Sequence, residues 1–136
     1  MRTRAKVFRH SVALEAGGTI LAEGEAPLEL PETWTSEHLL LAALARCTLT
    51  SLRYHARGFI VTGSALTSST ITRREDGLYG LVDVGVAIDL SLDPEPADEP
   101  LGELLERASR DCFIGNSLSV RPTYRWRVNG RDVEGD

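Results

Sequence analysis

Cysteine is scarce in this chain: there are two among 136 residues. Two thiols are too few to complete a zinc site unaided. The three histidines, His10, His38 and His55, stand in no CxxC- or HxxxH-type spacing that would help them. No metal and no cofactor are therefore expected. No apolar run reaches the roughly 18 residues that a membrane-spanning helix needs. The opening MRTRAKVFRH lacks the apolar core of a signal peptide. An excess of basic charge is missing too. Fifteen Lys and Arg against 20 Asp and Glu leave a net −5, which argues against nucleic acid or an anionic membrane as the main partner. These absences predict a cytoplasmic protein, and in that compartment thiols are kept reduced, so a permanent disulfide is not expected.

What is present describes an ordinary globular chain, 42% hydrophobic and 26% charged. Its length predicts one domain over residues 1–136, able to bury roughly two-thirds of its unfolded surface. The stretch TSEHLLLAALARCTLTSLRYHARG, residues 35–58, reads as one helix with Cys47 in its middle. Thr35 or Ser36 can cap it, Glu37 falls in the first turn where the helix dipole favours an anion, and Gly58 supplies the stop. Leu40, Leu44, Cys47 and Ser51 share one face, and Leu39, Leu41, Ala42, Ala43 and Ala45 make much of the remainder apolar. Such a helix should be buried on more than one side.

Around it, residues 3–14 predict a strand, with Phe8, His10, Val12 and Leu14 alternating against Arg9, Ser11 and Ala13. A Gly17-Gly18 turn leads to a second strand at Thr19–Ala22, and Pro27 and Pro31 bracket an irregular or edge segment. Phe59–Thr72 is rich in β-branched residues. After a turn at Glu75-Asp76-Gly77, the residues Val82, Val84, Val86, Ile88 and Leu90 predict one buried strand face. Leu101, Leu104, Leu105, Ala108 and Cys112 then recur at helical spacing, so Cys112 is expected inside a second helix that Gly115-Asn116 could break. A last strand, Tyr124–Val128, alternates Tyr124, Trp126 and Val128 inward against Arg125 and Arg127, and the tail NGRDVEGD is expected to fray. The order β-β-α-β-β-α-β predicts an α+β fold, a curved antiparallel sheet packed with two long helices.

Two of these segments resemble a family. SEHLLLAALARC is similar to the helix of the OsmC/Ohr superfamily (osmotically inducible protein C and organic hydroperoxide resistance protein), in which an acidic residue stands ten positions before a reactive cysteine. Glu37 and Cys47 have that spacing. CFIGNSL, opening on Cys112, resembles the family's C-P-[IVS]-[SG]-N/R-x-L segment, and the separation of 65 residues and the terminal YRWRVNG also fit. The resemblance implies an intertwined homodimer with its sites at the interface. It implies a thiol peroxidase in which Cys47 is the peroxidatic thiol, Cys112 the resolving thiol and Glu37 the acidic partner, reducing organic hydroperoxides at the expense of a thiol or lipoyl reductant. Peroxidase members carry an arginine either in a GGR turn or ten positions before the acidic residue. Here those places read Gly17-Gly18-Thr19 and Pro27, and the prolines usual before the acid and after the second cysteine are Ser36 and Phe113.

The chemistry sets its own requirements. The thiolate, not the thiol, attacks a peroxide, and burial on an apolar helix face opposes its formation. A cation is needed, and Arg9 is the foremost candidate, with Arg4 near it and Arg121 behind. Ten residues of helix put Glu37 about 15 Å from Cys47 along the axis. Either the helix breaks between them or Glu37 serves the cysteine of a two-fold partner, the arrangement expected here. The competing reading is a non-catalytic OsmC-like protein that binds a small apolar ligand or senses redox state, since a lone buried cysteine is usually an inert small hydrophobe.

Overall fold

Ser36 to His55 form one unbroken helix, α1, with Glu37 in its first turn and Arg53 and His55 in its last. It stops where expected, because Gly58 takes a left-handed φ of +95° that side chains resist. The computed structural model describes residues 4–133. The chain divides into two compact units, 1–37 and 38–136, which are taken separately.

The first unit holds a three-stranded antiparallel sheet of β1 (Val12–Leu14), β2 (Thr19–Ala22) and β3 (Leu28–Glu29), in that order. Gly18, at φ +94°, makes the β1–β2 turn. The strand expected over 3–14 is real only from Val12. Arg9 and His10 lie in an irregular, exposed segment ahead of it, and residues 1–3 fall outside the described region. β3, two residues long, is the edge segment bracketed by Pro27 and Pro31, which can give no ladder hydrogen bonds of their own. Phe8, Val12, Leu14 and Leu28 of this unit are all more than half exposed.

The second unit is built on a four-stranded sheet in the order β4-β5-β6-β7, with β4 Ile60–Arg73, β5 Tyr79–Asp93, β6 Thr123–Val128 and β7 Arg131–Val133. Between β5 and β6 run α2 (Asp98–Arg110) and the single-turn α3 (Phe113–Ser117). The expected element order is therefore present, with β3, α3 and β7 added. One pairing corrects the expectation of a wholly antiparallel sheet, because β6 lies parallel to β5, Gly85 opposite Thr123 through Leu90 opposite Val128. A connection that carries a helix across the sheet returns the chain to the end from which the strand began, and parallel pairing follows.

Val82 also departs from its predicted face. The β4–β5 register slips between Thr70 and Ile71, where Thr70 pairs with Asp83 and Ile71 with Leu81. Val82 is thus the extra residue of a β-bulge, 42% exposed, while Val84, Val86, Ile88, Leu90 and Leu92 line the core. The tail is paired rather than frayed as far as Val133. Asn129 and Gly130, at φ +50° and +81°, make the tight hairpin that Asn-Gly favours. The Leu92 amide donates to Asn129 Oδ1 at 2.9 Å, which ties that hairpin to the end of β5.

The core of this unit joins β5, Trp126 and Val128 to the inner faces of the helices: Leu44 and Leu52 from α1, Leu101, Leu104, Leu105 and Ala108 from α2. Leu52 has no exposure at all. Leu52→Ala should lower the unfolding free energy by about 3 kcal/mol, the usual cost of a buried cavity at a site that cannot collapse. Chemical denaturation checks this, and a loss below about 1 kcal/mol would mean that the site repacks.

Candidate functional site

The second helix ends sooner than its periodicity implies, and that ending builds the site. α2 stops at Arg110, Asp111 is its C-cap, and Cys112 has extended backbone, φ −76° and ψ 107°, as the N-cap of α3. Cys112 is therefore between helices rather than inside one. Asn116 stabilises the break from three residues inside α3's turn: its Nδ2 donates to the Arg110 carbonyl at 2.8 Å, a group that the end of α2 leaves without a helical partner. The predicted break at Gly115-Asn116 falls earlier in the chain, yet Asn116 still acts in it.

The turn faces α1. Ser51 Oγ donates to the Ala108 carbonyl at 2.7 Å, and His55 Nε2 meets Asp111 Oδ2 at 2.7 Å. Thr48 Oγ1 lies 3.6 Å from Cys112 Sγ, and the Ile114 amide donates to Cys47 Sγ at 3.5 Å. Thr48 Oγ1 also donates to the Leu44 carbonyl at 2.9 Å. Cys47 is half-buried, Cys112 fully buried, and both are free thiols.

Burial pushes the Cys47 thiol above its ordinary pKa, and the nearby Cys112 sulfur adds to the rise. The Ile114 amide and, more weakly, the Phe113 amide act the other way by donating toward the sulfur. Burial likewise pushes the Tyr124 phenol up, reinforced by Cys112, so Tyr124 stays an O–H beside the two sulfurs. Asp111 is held down to about 2, first by the Arg110 guanidinium hydrogen-bonded to it and then by His55.

Cys47 opens onto a cleft of about 290 Å³ with nearly all-apolar walls, including the Tyr54 and Phe113 rings, and with the His55–Asp111 pair at its polar side. The Tyr54 ring is fixed between His55, edge-on at 5.1 Å, and the Arg57 guanidinium 4.4 Å above its face. An apolar pocket around a sulfur suits a small organic molecule with one reactive polar atom. Among the described residues, no group of three or more His, Cys, Asp or Glu side chains is placed to share a metal ion.

Of the residues the sequence singles out, the fold brings Cys47 and Cys112 together. Glu37 sits in the first turn of α1, ten residues of continuous helix before Cys47, so the helix does not break between them. Arg9 is exposed in the first unit. Arg121 lines a different, smaller cavity of about 150 Å³ together with Gly115 and Tyr124. Sequence reasoning missed Thr48, Tyr124, Asp111 and the Ile114 amide. A signal existed for Tyr124, since a hydroxyl on an inward strand position must find a partner. None existed for a backbone amide.

The Asp111 carboxylate titrates below its ordinary value of 3.8, so its contribution to stability is complete above that pH and is lost as pH falls toward about 2. Thermal melts of Asp111→Asn should therefore lose less stability between pH 4 and 2 than wild type does. Parallel acid limbs for the two proteins would show that the pairing contributes nothing.

Comparison with known proteins adds the following. Residues 30–127 match the family model described as OsmC-like protein. No curated protein matches the chain. Among solved structures, an OsmC-like protein of unknown function from Vibrio cholerae superposes with a TM-score of 0.73 at 14% identity, covering 88% of this chain and 99% of that one. The organic hydroperoxide resistance protein from Elizabethkingia anophelis gives 0.62 at 17% identity over 92% and 98%. That of Bacillus subtilis gives 0.59 at 16% identity over 90% and 98%. The likeness extends over nearly the whole chain and is one of fold.

Proposed function

The chain belongs to the OsmC-like protein family, and from that premise we propose that it is a thiol-dependent peroxidase acting on organic hydroperoxides in the cytoplasm. The observation that carries the reading is the pairing of two free thiols, Cys47 in the wall of an apolar cleft and Cys112 buried close to it. In the first step the Cys47 thiolate attacks the terminal peroxide oxygen. The O–O bond breaks, Cys47 becomes a sulfenic acid, and the alkoxide takes a proton to leave as the alcohol. In the second step Cys112 attacks Cys47, the S–O bond breaks, water leaves and a disulfide joins the two sulfurs. An external thiol or lipoyl dithiol returns both to the reduced state. The Ile114 and Phe113 amides support negative charge on Cys47. The apolar walls hold the organic tail.

The working unit in this reading is a homodimer. The exposed Phe8, Val12, Leu14 and Leu28 of the small sheet, and the exposed Ala42 and Ala43 of α1, are apolar surface that a second copy would cover. Glu37 cannot reach the cysteine of its own helix, so Glu37 of the partner subunit completes the site, and Arg9 is the cation proposed to oppose the burial of Cys47. A second reading, a binder of a small apolar ligand, is favoured by one observation: the Cys47 thiol is shifted up, away from the thiolate.

Consumption of cumene hydroperoxide in the presence of a dithiol separates the two. Wild type should consume it catalytically, Cys47→Ser should fall to the buffer rate, and Cys112→Ser should complete one oxidation without forming the internal disulfide. Equal background rates for wild type and Cys47→Ser would leave the ligand-binding reading. Mixing equal amounts of inactive Glu37→Gln and inactive Cys47→Ser should restore about a quarter of wild-type activity per mole of sites, because random exchange makes about half of the dimers mixed and each mixed dimer holds one intact site of two. No recovery on subunit exchange would return Glu37 to a purely helix-capping role.

A further inference from the structure

Behind Cys112 the structure places two hydroxyls that the reading above leaves unused. Tyr124, on β6, brings its hydroxyl to the space beside Gly115 that Cys112 Sγ also borders, close enough for Cys112 and Thr48 to act on the phenol. Thr48, next to Cys47 on α1, has its oxygen 3.6 Å from Cys112 Sγ. Gly115 makes the room. A β-carbon there would stand 2.5 Å from the Tyr124 oxygen and 3.5 Å from Cys112 Sγ, so any side chain at 115 would push the phenol away from the sulfur. The ring is braced on its other side, stacked at 6.2 Å on buried Trp126. Three elements, α1, the Cys112 turn and β6, thus converge on one sulfur.

We propose that Tyr124 and Thr48 form a hydroxyl pair that orients Cys112 and stabilises charge on its sulfur during attack on oxidised Cys47, so that they are specific to the resolving step. The inference deepens the peroxidase reading and rests on it for the identity of that step. While Cys112 is a thiol, its proton has an acceptor. The Thr48 hydroxyl spends its own hydrogen on the Leu44 carbonyl and turns a lone pair toward Cys112. The Leu44 carbonyl keeps its helical bond from the Thr48 amide, so the hydroxyl can later rotate toward the sulfur without orphaning a buried group. Tyr124 is a donor throughout, its phenol kept protonated by burial.

The step balances within the protein. Cys112 S–H and Cys47 S–OH become one S–S bond and water. The proton of Cys112 ends on the departing hydroxide, which leaves as water, Cys112 sulfur is oxidised, and Cys47 sulfur is reduced from the sulfenic level. Charge on Cys112 rises as its proton departs and falls as the bond forms, and a hydrogen bond to a charged sulfur is stronger than one to a neutral thiol. Tyr124 and Thr48 therefore favour the transition state over the resting thiol.

Rapid-quench mass spectrometry of the full-length protein tests this, because it follows the Cys47 sulfenic acid, trapped with dimedone, separately from the Cys47–Cys112 disulfide. With one equivalent of cumene hydroperoxide, Tyr124→Phe should form the sulfenic acid at the wild-type rate. It should then convert it to disulfide about tenfold more slowly, the effect of one hydrogen bond to a charged group. Thr48→Val should behave alike and Thr48→Ser should keep near-wild-type resolution, which a purely packing role would not produce. Wild-type resolution in both Tyr124→Phe and Thr48→Val would overturn the proposal. If no variant, wild type included, yields a sulfenic acid, the peroxidase reading fails. Diamide then serves as oxidant, since Cys112 displaces the hydrazine from the Cys47 adduct by the same attack. A tenfold slower closure in Tyr124→Phe upholds the hydroxyl pair, and an equal rate removes it.

Discussion

The site depends on a seam between one face of α1 and the chain where α2 ends. Thr48, Ser51 and His55 each reach across it, to Cys112 Sγ, the Ala108 carbonyl and the Asp111 carboxylate. The Ser51 contact satisfies the Ala108 carbonyl, which the break in α2 would otherwise strand, and unpaired buried polar groups are costly. The result is that the residue after Asp111 stands against the residue before Thr48. Those residues are Cys112 and Cys47. Had α2 continued for one more turn, Cys112 would have travelled along the helix axis, and the Ile114 amide would have been committed to the helix instead of to the Cys47 sulfur.

The same seam sets a conflict that defines the chemistry. Packing Cys47 beside a second sulfur and under apolar rings raises its pKa, whereas thiol chemistry needs the anion. The described surroundings answer with backbone amides from the first turn of α3. A helix as apolar as α1 cannot place many charges near its own middle without losing core contacts, so help must arrive from other elements. The neighbourhood of Cys112 is handled differently, by two neutral hydroxyls, of which the buried one, Thr48, is cheap to bury because the Leu44 carbonyl accepts its hydrogen.

Much of the architecture could be read from the chain. The face of Leu40, Leu44, Cys47 and Ser51, the Gly58 stop and the alternation from Val84 to Leu90 are periodic signals of long elements, and packing agrees with them. What escaped was short or non-local. The bulge at Val82 exists only in the pairing with Thr70 and Ile71. The parallel alignment of β6 follows from the path of α2 across the sheet. The Asn129-Gly130 hairpin was legible as a turn dipeptide but was read as the start of a frayed end. Of the site, the spacing of Glu37, Cys47 and Cys112 was legible as a family pattern, and the hydroxyls and amides around the sulfurs were not.

By itself the sequence determined which residues carry reactive atoms and which faces of the long elements are apolar, because those properties belong to residue type and local period. It determined the family for the same reason, through two motifs at a set distance. Only the tertiary structure decided that α2 ends before Cys112, that Tyr124 and Thr48 come close to that sulfur with Gly115 making space, and that the Ile114 and Phe113 amides favour charge on Cys47 against burial and the Cys112 sulfur. These are relations between segments tens of residues apart. A backbone amide has the same identity at every position, so nothing but the path of the chain can say which one will meet a thiol.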